Sequence, residues 1–328
     1  MQRWIMAMRR LEFAQSEKAA AILFPSRSAP GIITVQSVTV PDDPEKPFSS
    51  RLKAHDRIRK ELVPQFSVAP EHFNRLVRLL RAGRKVTMEL ALQVDITPPD
   101  SGANVIAEIP GTDLKDEVVM VGGHLDSWHG GTGSNDNATG VATSMEAMRI
   151  IKTLGLKPRR TIRLGLWGGE EQGIYGSEAY VVRHLGKAVE DSTAPGGKRY
   201  EYTPEGEKFC AYFNNDNGTG RIRGIYLQGN EALRPIFRKW LEPFRDMGAS
   251  TVTPLPTSST DHVSFNDIGL PGFQFIQDDI DYFTRTWHTT ADNLDLALPG
   301  DLKQASVIMA AFVYNAAMRD ERLPRKVR

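Results

Sequence analysis

Cysteine is nearly absent: one residue, Cys210, in a chain of 328. A single thiol excludes an intrachain disulfide and a thiolate metal cage, and such a residue is usually buried among apolar side chains. An excess of charge of one sign is also missing. The chain has 41 Lys and Arg against 40 Asp and Glu, a formal net charge of +1. No global field therefore steers it toward nucleic acid or an acidic membrane. No apolar run approaches the ~20 residues of a membrane span. The opening MQRWIMAMRRLEF sets arginines on both sides of a short apolar patch and lacks the h-region of a signal peptide. Two settings remain: a cytoplasmic protein, or a chain whose true N-terminus lies upstream. Internal repeats and low-complexity tracts are absent as well.

What is present is ordinary globular composition, 40 % apolar and 25 % charged, with room for one large domain or one domain plus a smaller module. The early part is uneven. KAAAILFP (18–25) predicts one short buried strand, and Pro41 to Lys60 a charged, proline-broken loop. APEHFNRLVRLLRAG predicts a helix with Phe73, Leu76, Val77 and Leu80 on one face and Gly83 as its stop. Arg75, Arg78, Arg81 and Arg84 read as a solvated helix face rather than a nucleic-acid stripe, because no stacking aromatics are interleaved. KVTMELALQVDI alternates Val86, Met88, Leu90, Leu92, Val94 and Ile96, the period of a half-buried strand.

After the turn-rich joint TPPDSG (97–102), short apolar runs alternate with helical patterns. NVIAEIPG, EVVMVGGH, TIRLGLWGG, KFCAYFNND and PGFQFIQ read as strands. GVATSMEAMRIIKTL reads as a helix presenting Val141, Met145, Met148 and Ile151, and GSEAYVVRHLG, NEALRPIFRKWLEPF and PGDLKQASVIMAAFVYNAAMRD as further helices. Such alternation predicts an α/β fold: a mostly parallel twisted sheet with helices on both faces.

In such sheets, sites gather beyond the carboxyl ends of the strands. There the sequence places His124 and Asp126, Glu170 and Glu171, and Asp216, with Asp136 in a Gly-rich loop and His288 after a later apolar run. Crowded carboxylates repel and raise one another's pKa, so a cation is expected among them. Imidazole and carboxylate donors without thiolate favour Zn2+, with Mn2+ or Co2+ as substitutes. Five ligating side chains exceed one tetrahedral shell and suit a pair of ions sharing a carboxylate.

As an ordered set, GHLDSW…GSNDNATG, GLWGGEEQGIYGSEAY, NNDNGTG and TWHTTADN resemble the motifs of the co-catalytic zinc exopeptidases of metallopeptidase family 28, from about Ser101 to the C-terminus. The resemblance implies that His124 binds one zinc, that Asp136 bridges both ions, and that Asp216 completes the first shell. It implies Glu171 and His288 on the second ion, Glu170 as general base, and Asp126 as the carboxylate that orients His124. It also implies a cis peptide at Asp136–Asn137. Residues i and i+2 of a strand point the same way, so Asp126 is expected to bond the His124 ring. Glycines around Asp136 are expected to let the backbone approach the metals.

The resemblance further divides the chain into a partial protease-associated, β-rich module (1–96) and a catalytic domain (97–328). With the export signal upstream, that division implies an extracellular or periplasmic setting. Asn137 stands where many members carry aspartate. TPLPTSSTDHVSF has no tyrosine to serve the oxyanion, leaving Tyr282, His262 or a metal alone. The expected substrates are short peptides, cut as an aminopeptidase or dipeptidase; the oligomeric state, a homodimer included, stays open. Arg285, near His288, keeps a carboxypeptidase in view. The same scaffold would also suit a glutaminyl-cyclase-type transferase or an inactive binding homologue. His55, His72, His129 and His184 read as surface or structural histidines. The sequons at Asn137 and Asn217 lie against the expected site, where sugar has no room.

Overall fold

The computed structural model describes residues 2–43, 62–94, 101–194, 197–257 and 259–326. The chain divides into two units, Met1–Ser101 with His288–Ala291, and Gly102–Trp287 with Asp292–Arg328.

The first unit contains helix α1 (Gln2–Ser16), strands β1 (Ile22–Pro25) and β2 (Gln65–Val68), and helix α2 (Pro70–Arg81). β1 and β2 pair in parallel, with Ile22 opposite Gln65. α2 follows the sequence pattern. Phe73, Leu76 and Val77 are half-buried, and the four arginines are exposed. Gly83, at φ +69°, ends it, and the Arg84 N–H reaches back to the Leu79 carbonyl at 3.0 Å, a left-handed glycine stop. Leu80, expected on the apolar face, is 59 % exposed.

Other expectations are corrected here. The opening stretch, read only for export, is helical, with Met8 and Leu11 buried. The strand expected as buried is short and half-exposed, Phe24 among its outward residues. Residues 85–94 form no strand, and Met88, Leu90, Leu92 and Val94 are exposed. Alternation selects a face, but a strand needs a neighbour to satisfy its backbone groups. Among the described residues this unit holds a two-stranded sheet and two helices, not a β-rich module. Most of the expected loop at 41–60, Ile96, His55 and most of TPPDSG lie outside the described residues.

The second unit runs β3 (Val105–Ile109), β4 (Leu114–His124), α3 (Thr139–Thr153), β5 (Arg160–Trp167), α4 (Tyr175–His184), β6 (Gly186–Glu190), β7 (Lys198–Tyr202), α5 (Pro204–Lys208), β8 (Phe209–Asn214), β9 (Ile222–Tyr226), α6 (Arg234–Leu241), β10 (Thr251–Thr253), α7 (His262–Asn266), β11 (Gly272–Gln277) and α8 (Pro299–Met318). Seven strands form one sheet in the order β10-β9-β11-β8-β4-β5-β3. β8, β4 and β5 are parallel neighbours, and β3 and the β9–β11 pair are antiparallel. The α/β expectation holds.

Alternation along β4 shows why both faces are covered. Val119 and Val121 join a core with Ala147 and Ile151 of α3 and Ile308, Phe312 and Val313 of α8. Val118 and Met120 face a second core with Trp167, Tyr180, Val181 and Phe265. Residues buried on both sides read as unbroken apolar runs, which is why β4, β5 and β8 were visible in the sequence. In α3 the buried stripe runs through Ser144, Ala147, Met148 and Ile151, and Met145 is 52 % exposed. Met148 and Ile151 thus mark the contact face as expected, and the small Ser144 and Ala147 stand on it where Met145 was expected. The segment read as one helix from Asn230 to Phe244 is α6 with a tight turn at each end. Pro235 and Pro243 remove the backbone donors a continuous helix would use.

Candidate active site

β4, β5 and β8 are adjacent and parallel, so their carboxyl ends lie side by side, ~4.8 Å apart per strand. His124 closes β4 opposite Trp167, the last residue of β5, and Gly122 lies opposite Asn214, the last residue of β8. Glu170 and Glu171 follow β5 after Gly168 and Gly169, and Asp216 follows β8 by two residues. Asp136 comes from the wide turn Ser134–Ala138 that leads into α3. Topology alone thus gathers side chains from four separated stretches.

The geometry centres on His124, which is 1 % exposed. Its Nδ1 lies 2.8 Å from the Asp126 backbone carbonyl. A carbonyl only accepts, so Nδ1 carries a hydrogen and Nε2 is left to bind a proton or a metal ion. Nε2 faces Asp136 Oδ1 at 3.2 Å and Asp216 Oδ1 at 3.4 Å. Two carboxylate oxygens around this nitrogen call for a positive charge there, a proton in the ion-free chain or a metal ion in its place. Tetrahedral bonds of ~2.0–2.1 Å put neighbouring donor atoms ~3.3 Å apart, which matches both distances. Ligand atoms of His124, Asp136 and Glu171 all lie within 4.8 Å of one another. Donor chemistry and spacing both fit a metal ion.

Asp126 is placed differently from the expectation. Its carboxylate is 3.9 Å from His124 Nδ1. Its Oδ1 accepts the Glu170 N–H and its Oδ2 the Glu171 N–H, each at 3.1 Å. One residue therefore orients the imidazole through its carbonyl and holds the Glu170–Glu171 turn through its side chain. The Glu170 carbonyl in turn accepts from Gly173 and Ile174 at 2.8 and 2.7 Å. The Asp136–Asn137 peptide is cis. Gly140 has a role other than metal approach: a Cβ there would stand 2.0 Å from the Asn215 carbonyl, so glycine is required for α3 to meet the end of β8.

His288 belongs to the first unit, at φ +52°, with its carbonyl accepting the Val35 N–H at 2.6 Å. Of the residues weighed for the oxyanion, His262 is fully buried, its Nε2 3.2 Å from the Thr257 carbonyl and 3.0 Å from Gln228 Nε2. Tyr282, also buried, directs its hydroxyl to Asp136. Arg285 pairs with Asp295 at 2.8 Å. His72 and His129 are exposed, and His184 packs on the Tyr180 ring at 4.7 Å. Asn137 is 1 % exposed, and the Asn217 amide donates to the Phe275 carbonyl at 3.2 Å, so both sequons are closed.

Two acids outside the expected set belong here. Asp261 is fully buried, and its charge bears on Glu170. Asp292, 4 % exposed, grips the turn that carries Asp136. A signal for Asp292 was available: it stands in the motif TWHTTADN, four residues after His288. Asp261 sits in TPLPTSSTDHVSF, with no apolar run directly ahead of it to mark a strand end.

Electrostatics follow from burial. Burial lifts the Glu171 carboxyl to about 8; His124 opposes this, and the charges of Asp216 and Asp126 add to it. Asp136 is raised to about 6, first by burial, against its hydrogen bond to His124. Burial likewise raises Glu170 well above the usual glutamate range, with Asp216 and Asp261 contributing. For His124 burial acts downward, but the charge of Asp216 and hydrogen bonds to Asp136 and Asp216 outweigh it, and the pKa rises.

Raised carboxylates mean that the metal-free folded chain holds protons that the unfolded chain has released. The contribution of these groups to stability is complete at low pH and is lost between about pH 4 and about pH 8. The raised His124 acts in the same direction, since its contribution is lost as pH passes its folded pKa. A bound cation replaces those protons. Thermal melts with chelator or with zinc should therefore show a gain from zinc of roughly 5–10 °C near pH 8. Near pH 5 the gain should be close to zero, because protonated ligands bind metal poorly. Equal gains at both pH values would contradict the assignment.

The family model for Peptidase family M28 matches residues 104–313. Carboxypeptidase Q of Mus musculus is 28 % identical over 279 residues, 85 % of this chain and 55 % of that protein. A Peptidase M28 precursor from Shewanella amazonensis SB2B superposes with a TM-score of 0.79 at 24 % identity, covering 98 % of this chain and 65 % of that one. BSAP, a zinc aminopeptidase from Bacillus subtilis, superposes at a TM-score of 0.52 and 25 % identity over 67 % of this chain and 51 % of that one. The chain thus spans about half the length of the carboxypeptidase Q it matches. With the matched region covering every strand from β3 to β11, the chain belongs to peptidase family M28.

Proposed function

We propose that the chain is a two-zinc exopeptidase that removes residues from the amino terminus of short peptides. The observation that carries this reading is the convergence of His124 Nε2 on two carboxylate oxygens at 3.2 and 3.4 Å, with Glu171 in the same cluster of donor atoms. In this reading His124 and Asp216 would hold one ion, Glu171 and His288 the other, and Asp136 would be shared between them. Zinc held there would acidify a water molecule and polarise the scissile carbonyl. Glu170, its pKa raised by burial, takes a proton from the attacking water on its carboxylate and returns it to the leaving amine. Asp126 keeps Glu170 in place through its backbone N–H. His262 and Tyr282 already have partners at Thr257, Gln228 and Asp136.

Zinc is supported by the donor set, free of sulfur, and by the Bacillus subtilis zinc aminopeptidase among the structural relatives. Amino-terminal cleavage is supported by the Bacillus subtilis zinc aminopeptidase among the structural relatives.

Substrates that differ only at their ends test the reading. With added zinc, an aminoacyl-p-nitroanilide with a free amine should turn over, and its N-acetyl derivative should lose at least about 10²-fold in kcat/KM, the scale of losing a matched polar contact at a buried site. Hydrolysis of N-acetyl dipeptides at the rate of free ones would indicate a carboxypeptidase. Cyclisation of amino-terminal glutamine without hydrolysis would indicate a transferase.

A further inference from the structure

The turn that presents Asp136 is held from outside by one acid. Asp292 Oδ1 accepts the Asn135 N–H at 2.7 Å and the Asn135 side-chain amide at 3.0 Å. Its Oδ2 accepts the Asp136 N–H at 3.1 Å. Its backbone carbonyl accepts the Thr132 N–H at 2.8 Å and the Thr132 hydroxyl at 3.2 Å, and the next carbonyl, Asn293, accepts the same Asn135 amide at 3.0 Å. Both oxygens of a buried carboxylate thus grip two consecutive backbone donors, and the second of these belongs to Asp136.

The grip is needed because the turn has little regular structure of its own. Gly133 enters it at φ +65°, and Asp136 and Asn137 have non-helical dihedrals inside it. A side chain whose backbone is free to shift cannot hold a ligand atom within a few tenths of an ångström of its place. Charge-assisted bonds to backbone N–H groups are short and directional, so the Asp292 carboxylate sets both the position and the orientation of the Asp136 peptide.

Resting on the two-ion reading above, we propose that Asp292 is a positioning residue: it touches neither ion nor substrate and fixes Asp136 in the place from which it bridges the metals.

Zinc titration by calorimetry into chelator-stripped protein tests this, on the wild type, Asp292→Asn and Asn135→Ala. An asparagine at 292 turns an amide toward one of two fixed donors and breaks the grip. Losses of 10–100-fold in metal affinity are usual for such outer partners, and zinc affinity should fall by about that much. Activity at limiting zinc should fall in parallel and return as zinc is raised. Asn135→Ala keeps both backbone bonds and should weaken zinc binding by less. A purely structural role predicts a lower melting temperature with zinc affinity unchanged, and that result would overturn the proposal. If Asp292→Asn does not fold, Asn135→Ala decides: weaker zinc binding supports the clamp and unchanged binding overturns it. A wild type that binds no zinc would overturn the two-ion reading and the clamp together, whereas unaltered binding in the variants alone overturns only the clamp.

Discussion

Glu170→Gln should lower kcat for an aminoacyl-p-nitroanilide by about 10²–10⁴-fold, the usual contribution of a general base, with zinc content unchanged. The glutamine would keep its place. The Glu170 N–H is held by Asp126 and its carbonyl by Gly173 and Ile174, so the backbone position does not depend on the carboxylate. Only the capacity to take a proton is lost. KM should change little, because substrate binding makes no use of that capacity. Steady-state kinetics on the variant, with metal content measured on the same sample, checks the point. Undiminished turnover would remove Glu170 from the base role.

Asp136→Asn is expected to cost more, about 10³-fold or greater, because a metal centre supplies several kcal/mol of transition-state stabilisation. The substitution preserves shape and removes the charge at the centre of the cluster. Burial and the nearby charges of Asp216 and Glu171 already disfavour the ionised form of this carboxyl. The metal-free variant should therefore melt no lower than the metal-free wild type near pH 8. Loss of activity without loss of fold, read from kinetics and thermal melts together, separates a ligand from a structural acid. A variant that unfolds, or one that stays active, would contradict the bridging role.

The proposed site positions were legible in the sequence to the extent that they sit at strand ends. β4, β5 and β8 are buried on both faces, so they stand out as apolar runs, and the residue after such a run is a natural site position. His124, Glu170, Glu171 and Asp216 were found that way. β9 and the β6–β7 hairpin were not. IRGIY is interrupted by charge and glycine, and KRYEY and GKAVE are half-exposed strands rich in Lys and Glu. The opposite error occurred at 85–94, where strict alternation described a face for which the described residues contain no partner strand. The direction of the Asp126 side chain was illegible too. After the strand ends at His124 the period of two no longer applies, and the carboxylate turns to the Glu170 and Glu171 amides. Asp261 and Asp292 act through partners more than forty positions away in the chain, and no local pattern reports such contacts.

Zinc counted per folded chain, by elemental analysis of dialysed wild type and of Asp136→Asn, is the most direct measurement. Two ions per wild-type chain, and at most one in the variant, is the result that a shared carboxylate between paired ions requires. A wild type that retains no zinc, or a variant that retains as much as the wild type, would contradict it.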